Sequence, residues 1–257
     1  MTGARMLRGA AGVAGFLVAA ELLVRFGLSE KFVFPAPSTV LNEAGRLPAD
    51  PQFLEGVAVT LSNWALGLLI ATVVAVPLGV LLGALPPVER AVRPVLEFMR
   101  PIPSVAIIPL AILLIPVDEL MKVSVIVYAS IWPILINTLY GMHDVDPLAK
   151  ETLRAFGFGP LAVLAKVSLP SSAPFVATGV RIAAGVALVL AVSAELVAGG
   201  SAGIGVYVGV AGSGNRTDLM MAATCWASVL GVAANLALLA GERRLFHWHR
   251  MRTGVTT

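Results

Sequence analysis

Ionisable side chains inside apolar sequence are the first candidates for chemistry, because burying a charge in lipid is costly and such residues persist where they are paired or used. Four stand out: Glu21, Arg25, Arg181 and Glu195. Glu21 and Arg25 are four apart and can pair on one helix face. Arg181 and Glu195 are fourteen apart, about 21 Å along a helix, too far to pair within it. Two readings fit them: contacts on a solute path, Arg181 with an anion, or structural places near a membrane boundary. Nucleophilic chemistry needs a base beside the nucleophile, yet His143, His247 and His249 fall in connecting or terminal segments. No His-Glu-x-x-His occurs, so no metal site is expected. The single cysteine, Cys225, excludes a disulfide within the chain and a thiolate metal cluster from this chain alone. Nucleotide hydrolysis would need Gly-x-x-x-x-Gly-Lys-Ser/Thr, and none of the four lysines follows a glycine. The glycine-rich stretch 199–214 reads as a flexible outer turn.

The elements that must position these residues follow from where charge is missing. The chain has 257 residues, 58% hydrophobic and 13% charged, against roughly 25% charged in a soluble domain. Lipid must solvate most of it. A membrane helix needs about 20 apolar residues, and six stretches qualify: 9–28, 61–85 with a Gly79-x-x-x-Gly83 pair, 101–117, 123–142, 167–200 and 219–241. The first also reads as a signal peptide ending at Val18-Ala19-Ala20; the apolar residues that resume after Glu21 and Arg25 favour a retained helix. Lys and Arg concentrate on the cytoplasmic side of membrane proteins. With the amino terminus inside, twelve basic residues face the cytoplasm and four, Lys31, Arg46, Lys122 and Arg216, lie outside. Both termini are therefore expected in the cytoplasm. The net charge of +3 is too small for a nucleic-acid-binding face.

The longest inner connection, residues 141–172, carries an amphipathic pattern. Asp146 can cap a helix whose first position is Pro147, and Gly157 supplies a stop. On that short helix Leu148, Leu153 and Phe156 offer apolar surface, while Lys150, Glu151 and Arg154 offer charge. A second short segment, 160–167, leads to Ser168-Leu169-Pro170 and the next span. Such helices can dock into a groove on a partner protein or lie on lipid headgroups.

This connection resembles the EAA motif of binding-protein-dependent ABC importer permeases, in which Glu-Ala-Ala, three residues, Gly, nine residues and Ile-x-Leu-Pro follow one another. Here it stands as Glu151-Thr152-Leu153, Gly157 and Val167-Ser168-Leu169-Pro170, with both spacings kept and the alanines and isoleucine replaced. Phe34-Pro35-Ala36-Pro37-Ser38, Arg100-Pro101-Ile102-Pro103, Asp144-Val145-Asp146-Pro147, Gly179-Val180-Arg181, Ala194-Glu195 and Gly203-Ile204-Gly205 are similar to the nitrate, sulfonate and taurine branch. Ile115-Pro116-Val117-Asp118-Glu119 departs from it, since that branch tends to place glycines before the acidic residue.

The resemblance implies an all-α membrane protein of type I ABC importer architecture. It would comprise a first helix and outer segment (1–52), a permease core (53–245) and a cytoplasmic tail (246–257) in the inner membrane. It implies a homodimer, ATPase subunits that use ATP and Mg, and a soluble receptor outside; this chain itself would bind no cofactor and catalyse no reaction. The ATPase-coupling residues would be Asp146, Lys150, Glu151, Arg154, Ala155, Phe156, Gly157, Leu169 and Pro170, with Gly157 turning between two short helices and Leu169-Pro170 a hinge into the fifth span. The solute would be a small anion such as a sulfonate, taurine or nitrate. A secondary transporter or channel that uses no ATP is the alternative.

Overall fold

The computed structural model describes residues 2–26 and 34–245. Lys31, His247, His249, Arg250, Arg252 and the tail 246–257 lie outside the described residues. Among the described residues there is no strand. The helices are α1 (Thr2–Arg25), α2 (Pro37–Arg46), α3 (Pro51–Ala84), α4 (Pro86–Met99), α5 (Ile108–Leu114), α6 (Asp118–His143), α7 (Pro147–Ala155), α8 (Pro160–Val163), α9 (Leu169–Ala198), α10 (Ile204–Ser213) and α11 (Thr217–Leu245). Among the described residues five helical stretches are long and apolar enough to cross a membrane, or six if the bent pair of α4 with residues 104–114 counts as one span.

The third span differs from the expected single helix over 101–117. A one-turn helix (Ser104–Ile107) leads into the seven residues of α5, and an 80° bend separates this stretch from α4. Prolines 101, 103 and 109 explain it: each removes a backbone donor and restricts the residue before it. The residues between the expected spans 61–85 and 101–117 form the 14-residue α4, started by Pro86 and Pro87. The turn at 115–117 is extended, and no residue there has positive φ. It therefore needs no glycine.

One compact unit comprises residues up to 59 together with 199–229. The expected Glu21–Arg25 pair is present at 2.8 Å. The Glu21 carboxylate also accepts the Ser38 backbone N–H (3.0 Å) and hydroxyl (2.8 Å), so it satisfies the amino-terminal end of α2. Phe53 is buried, edge-on to Tyr207 and tilted against Trp226, whose indole donates to the Ala44 carbonyl at 2.8 Å. The stretch 199–214 corrects the expectation of a flexible turn, since it contains α10. Three of its seven glycines, Gly199, Gly200 and Gly203, precede the helix with positive φ, and Ile204 and Val208 are buried.

Tyr207 donates its hydroxyl to Asp50 Oδ2 at 2.9 Å, while Asp50 Oδ1 caps α3 through the Gln52 N–H. Burial and this bond to a carboxylate push the phenol up to about 12. Because the folded value lies above the unfolded one, the bond's contribution should be complete below pH 10 and vanish as pH rises through about 12. Tyr207→Phe should abolish that step in alkaline unfolding followed by circular dichroism.

The second unit comprises residues 60–198 and 230 onward. Its core is built largely from small residues. Ala71, Ala75, Ala183 and Ala184 pack with Leu68, Ile134 and Leu135, and Ala129, Ala187, Ala191 and Ala194 pack with Val125 and Ile126. Small side chains let membrane helices approach closely. Glycine takes this furthest: a methyl group on Gly79 would lie 2.7 Å from Thr138 Cβ, and one on Gly83 2.5 Å from Met142 Cβ. On α9, a methyl on Gly179 would meet Asn137 Cβ at 2.9 Å and the Pro133 carbonyl at 3.0 Å. The Trp64 indole crosses to the Ala184 carbonyl at 2.9 Å.

Candidate functional site

The segment between α6 and α9 is defined by its caps. Asp146 Oδ1 accepts the Leu148 N–H at 2.8 Å, and Pro147 occupies the first helical position, where no amide is needed. At the other end Gly157 has φ +83°, its N–H bonds to the Arg154 carbonyl at 2.9 Å, and the Phe158 N–H bonds to the Leu153 carbonyl at 3.1 Å. This nested pair, with glycine in the left-handed conformation, is the Schellman stop. The helix fits the expected start and end.

No residue of α7 is buried. Lys150 reaches the Met142 carbonyl at the long distance of 3.5 Å, and Glu151, Arg154, Ala155 and Phe156 are exposed. Apolar surface is presented outward: Leu148 is 68% exposed, Phe156 79% and Leu161, on α8, 81%. Lys166 stands 4.5 Å above the Phe158 ring, a cation–π contact that holds the turn between the two short helices.

The chain does not break at Leu169-Pro170. Pro160–Ala198 is one continuous 39-residue helix, and its irregularity falls at Leu164–Ser168, a single π turn. Pro170 accounts for the position. It cannot donate to the Lys166 carbonyl four residues back and its ring crowds that oxygen, so widening the preceding turn relieves both problems. Leu169 and Pro170 are exposed.

Arg181 and Glu195 are not brought together. Arg181 Nε pairs with Glu242 Oε2 at 3.0 Å, and Thr178 donates to Glu242 Oε1 at 3.2 Å, so α9 is tied to the last turn of α11. Glu195 is fully buried and accepts the Thr60 hydroxyl at 2.8 Å, which ties α9 to α3. Sequence reasoning missed Glu242 and Thr60. The signal for Glu242 was its place one residue past the uncharged run 219–241, where a helix continuing by one turn carries it beside Arg181. Thr60 gave no signal, because a threonine in an apolar run is ordinary. Among the described residues no group of three or more His, Cys, Asp or Glu is placed to hold a metal.

Residues 75–247 match the family described as the binding-protein-dependent transport system inner membrane component. The taurine transport system permease protein of Escherichia coli is 30% identical over 84% of this chain and 80% of its own length. A putative aliphatic sulfonates transport permease protein of Bacillus subtilis is 27% identical over 91% of this chain and 84% of its own. The nitrate import permease protein of Leptolyngbya laminosa is 29% identical over 72% and 70%. With two thirds of its length matched, and with helices long and apolar enough to cross a membrane, the chain belongs to the family of binding-protein-dependent transport system inner membrane components, the membrane-spanning permeases of ABC transporters.

Proposed function

We propose that this chain is the permease of an ATP-driven importer for a small oxyanion such as taurine, another sulfonate or nitrate. A separate ATPase would drive it through residues 141–172. The observation that carries this reading is α7 itself: a helix capped at both ends, with nothing buried, that holds Leu148 and Phe156 outward. Ordering a helix in which no residue is fully buried stabilises the chain little, whereas a preformed apolar protrusion lowers the entropy cost of docking to a partner. The relatives' names support import of oxyanions.

The working unit is two copies of this chain in the inner membrane with both termini inside, two ATPase subunits that bind ATP and Mg, and an extracytoplasmic receptor. The excess of Lys and Arg in the segments assigned to the inside supports that orientation. Glu151, Lys150 and Arg154 supply charges at the ATPase contact, Asp146 and Gly157 fix the shape of α7, and Leu169-Pro170 pass its movement into α9. Arg181 and Glu195 brace α9 against α11 and α3, which allows a shift of α9 to move its neighbours with it.

Phe156→Asp places a carboxylate at the most exposed aromatic of the segment. It should weaken ATPase association on the order of thirtyfold, about 2 kcal/mol for a lost hot-spot aromatic, with membrane insertion unchanged. Copurification with the cognate ATPase reads this, and normal assembly by the variant would refute the docking assignment. ATP-independent uptake by the purified chain would favour a secondary transporter, and ion conductance a channel.

A further inference from the structure

Between the short helix α8 and the long run of α9 stands the π turn, Leu164–Ser168. A π turn closes i→i+5 bonds where an α-helix closes i→i+4, so it takes up about one residue more per turn. One residue of an α-helix occupies about 100° of rotation. The π turn therefore leaves α8 wound back by about 100° from the place that a plain α-helix of the same residues would give it.

The consequence is a choice of face. With the π turn in place Leu161 is exposed and Val163 is buried. In an uninterrupted α-helix each residue of α8 would move into the place of the one before it. Ala162 would then stand where Leu161 points outward, and Leu164 would fill the buried place of Val163. The segment would keep its helix and lose its outward leucine.

Two residues hold the π register. Pro170 has no N–H for the Lys166 carbonyl, and its ring crowds that oxygen in an α-helix. Lys166 lies inside the turn, and its Nζ stands 4.5 Å over the ring of Phe158, which precedes α8. Rewinding the turn to α rotates Phe158 against Lys166 and parts them. Beyond the turn α9 is fixed, because Gly141 of α6 fits closely against Ser172 and Phe175. A change of register must then appear in α8 and not in α9.

We propose that the π turn sets the rotational register of the docking surface, with Pro170 and Lys166 as the positioning residues that keep Leu161 outward. The proposal rests on the docking assignment only in giving Leu161 a partner.

The test uses the full-length permease without ATPase, so its outcome is independent of that assignment. In a Cys225→Ser background, Leu161→Cys is spin-labelled together with Tyr140→Cys on α6 or with Ile182→Cys on α9, three positions that are exposed. Double electron–electron resonance gives the two distances. A point on the surface of a helix about 10–12 Å across travels about 8 Å in a 100° turn. Pro170→Ala should therefore shift at least one distance by several ångström. Deleting Ala165, which is exposed within the turn, from the Pro170→Ala protein removes the surplus residue and should restore both original distances. A general disturbance of the fold would be worsened by a deletion. Lys166→Met should broaden both distributions, and Lys166→Arg, which keeps a cation over the ring, should not. Circular dichroism checks that each variant keeps its helices. Unmoved distances in Pro170→Ala, failure of the deletion to restore them, or a Lys166→Met protein with unbroadened distributions would overturn the proposal.

Discussion

Gly157→Val is expected to abolish ATP-driven uptake in reconstituted vesicles while the chain stays inserted and helical. The cause is backbone conformation, since a side chain at this position would meet nothing within 4 Å. With φ at +83°, a residue bearing Cβ costs about 1–2 kcal/mol, and a β-branched one is a conformational outlier there. Relief requires φ to turn negative, which breaks both bonds of the stop at Arg154 and Leu153 and swings α8 away from α7. Gly159→Ala is the matched control. Gly159 also has open space around it but sits at φ −69° and ψ 167°, extended backbone that alanine adopts and that suits a residue before proline. Near-normal uptake by Gly159→Ala beside a dead Gly157→Val identifies the turn. Equal loss in both variants would point to surface bulk instead.

The second large effect belongs to the membrane core. Gly79→Ala should lower the stability of the permease in detergent by about 3 kcal/mol, the upper part of the range for overpacking. The new methyl would stand 2.7 Å from both Cβ and Cγ2 of Thr138 and 3.2 Å from the Leu135 carbonyl. Two helices would have to separate along their length. Thr138→Gly removes both obstructing carbons, so the double variant should recover part of the loss despite the poor helix propensity of glycine. The carbonyl remains, so recovery is incomplete. Thermal unfolding of the four proteins gives the coupling energy, and simple additivity would show that the two residues do not collide.

What could be read from the sequence divides along a physical line. The caps of α7 were legible because Asp146, Pro147 and Gly157 act on backbone within a few residues of themselves. The long spans were legible because lipid imposes a minimum apolar length. Direction was not. The stretch 101–117 satisfies the apolar criterion almost as well as a straight helix would, and the bend appears only when prolines 101, 103 and 109 are set against the charges of α4. Leu169-Pro170 misled in the opposite sense: a proline that breaks most helices is absorbed here by one π turn. The partner of Arg181 was hidden because the reading closed the last span at residue 241, one position before Glu242. Pairings that depend on two helices meeting, such as Thr60 with Glu195, have no local signature.

The unbroken helix from Pro160 to Ala198 spans 39 residues, about 58 Å at 1.5 Å per residue. Gly179, where a methyl would meet Asn137 Cβ at 2.9 Å and the Pro133 carbonyl at 3.0 Å, lies nineteen residues from either end. It is not a lone pivot: Gly141 of α6 fits against Ser172 and Phe175 on one side of it, and Ala187, Ala191 and Ala194 pack with Val125 and Ile126 on the other. A rod gripped on both sides of its midpoint cannot seesaw on its neighbour, so a displacement of α9 carries α6 along with it as one body.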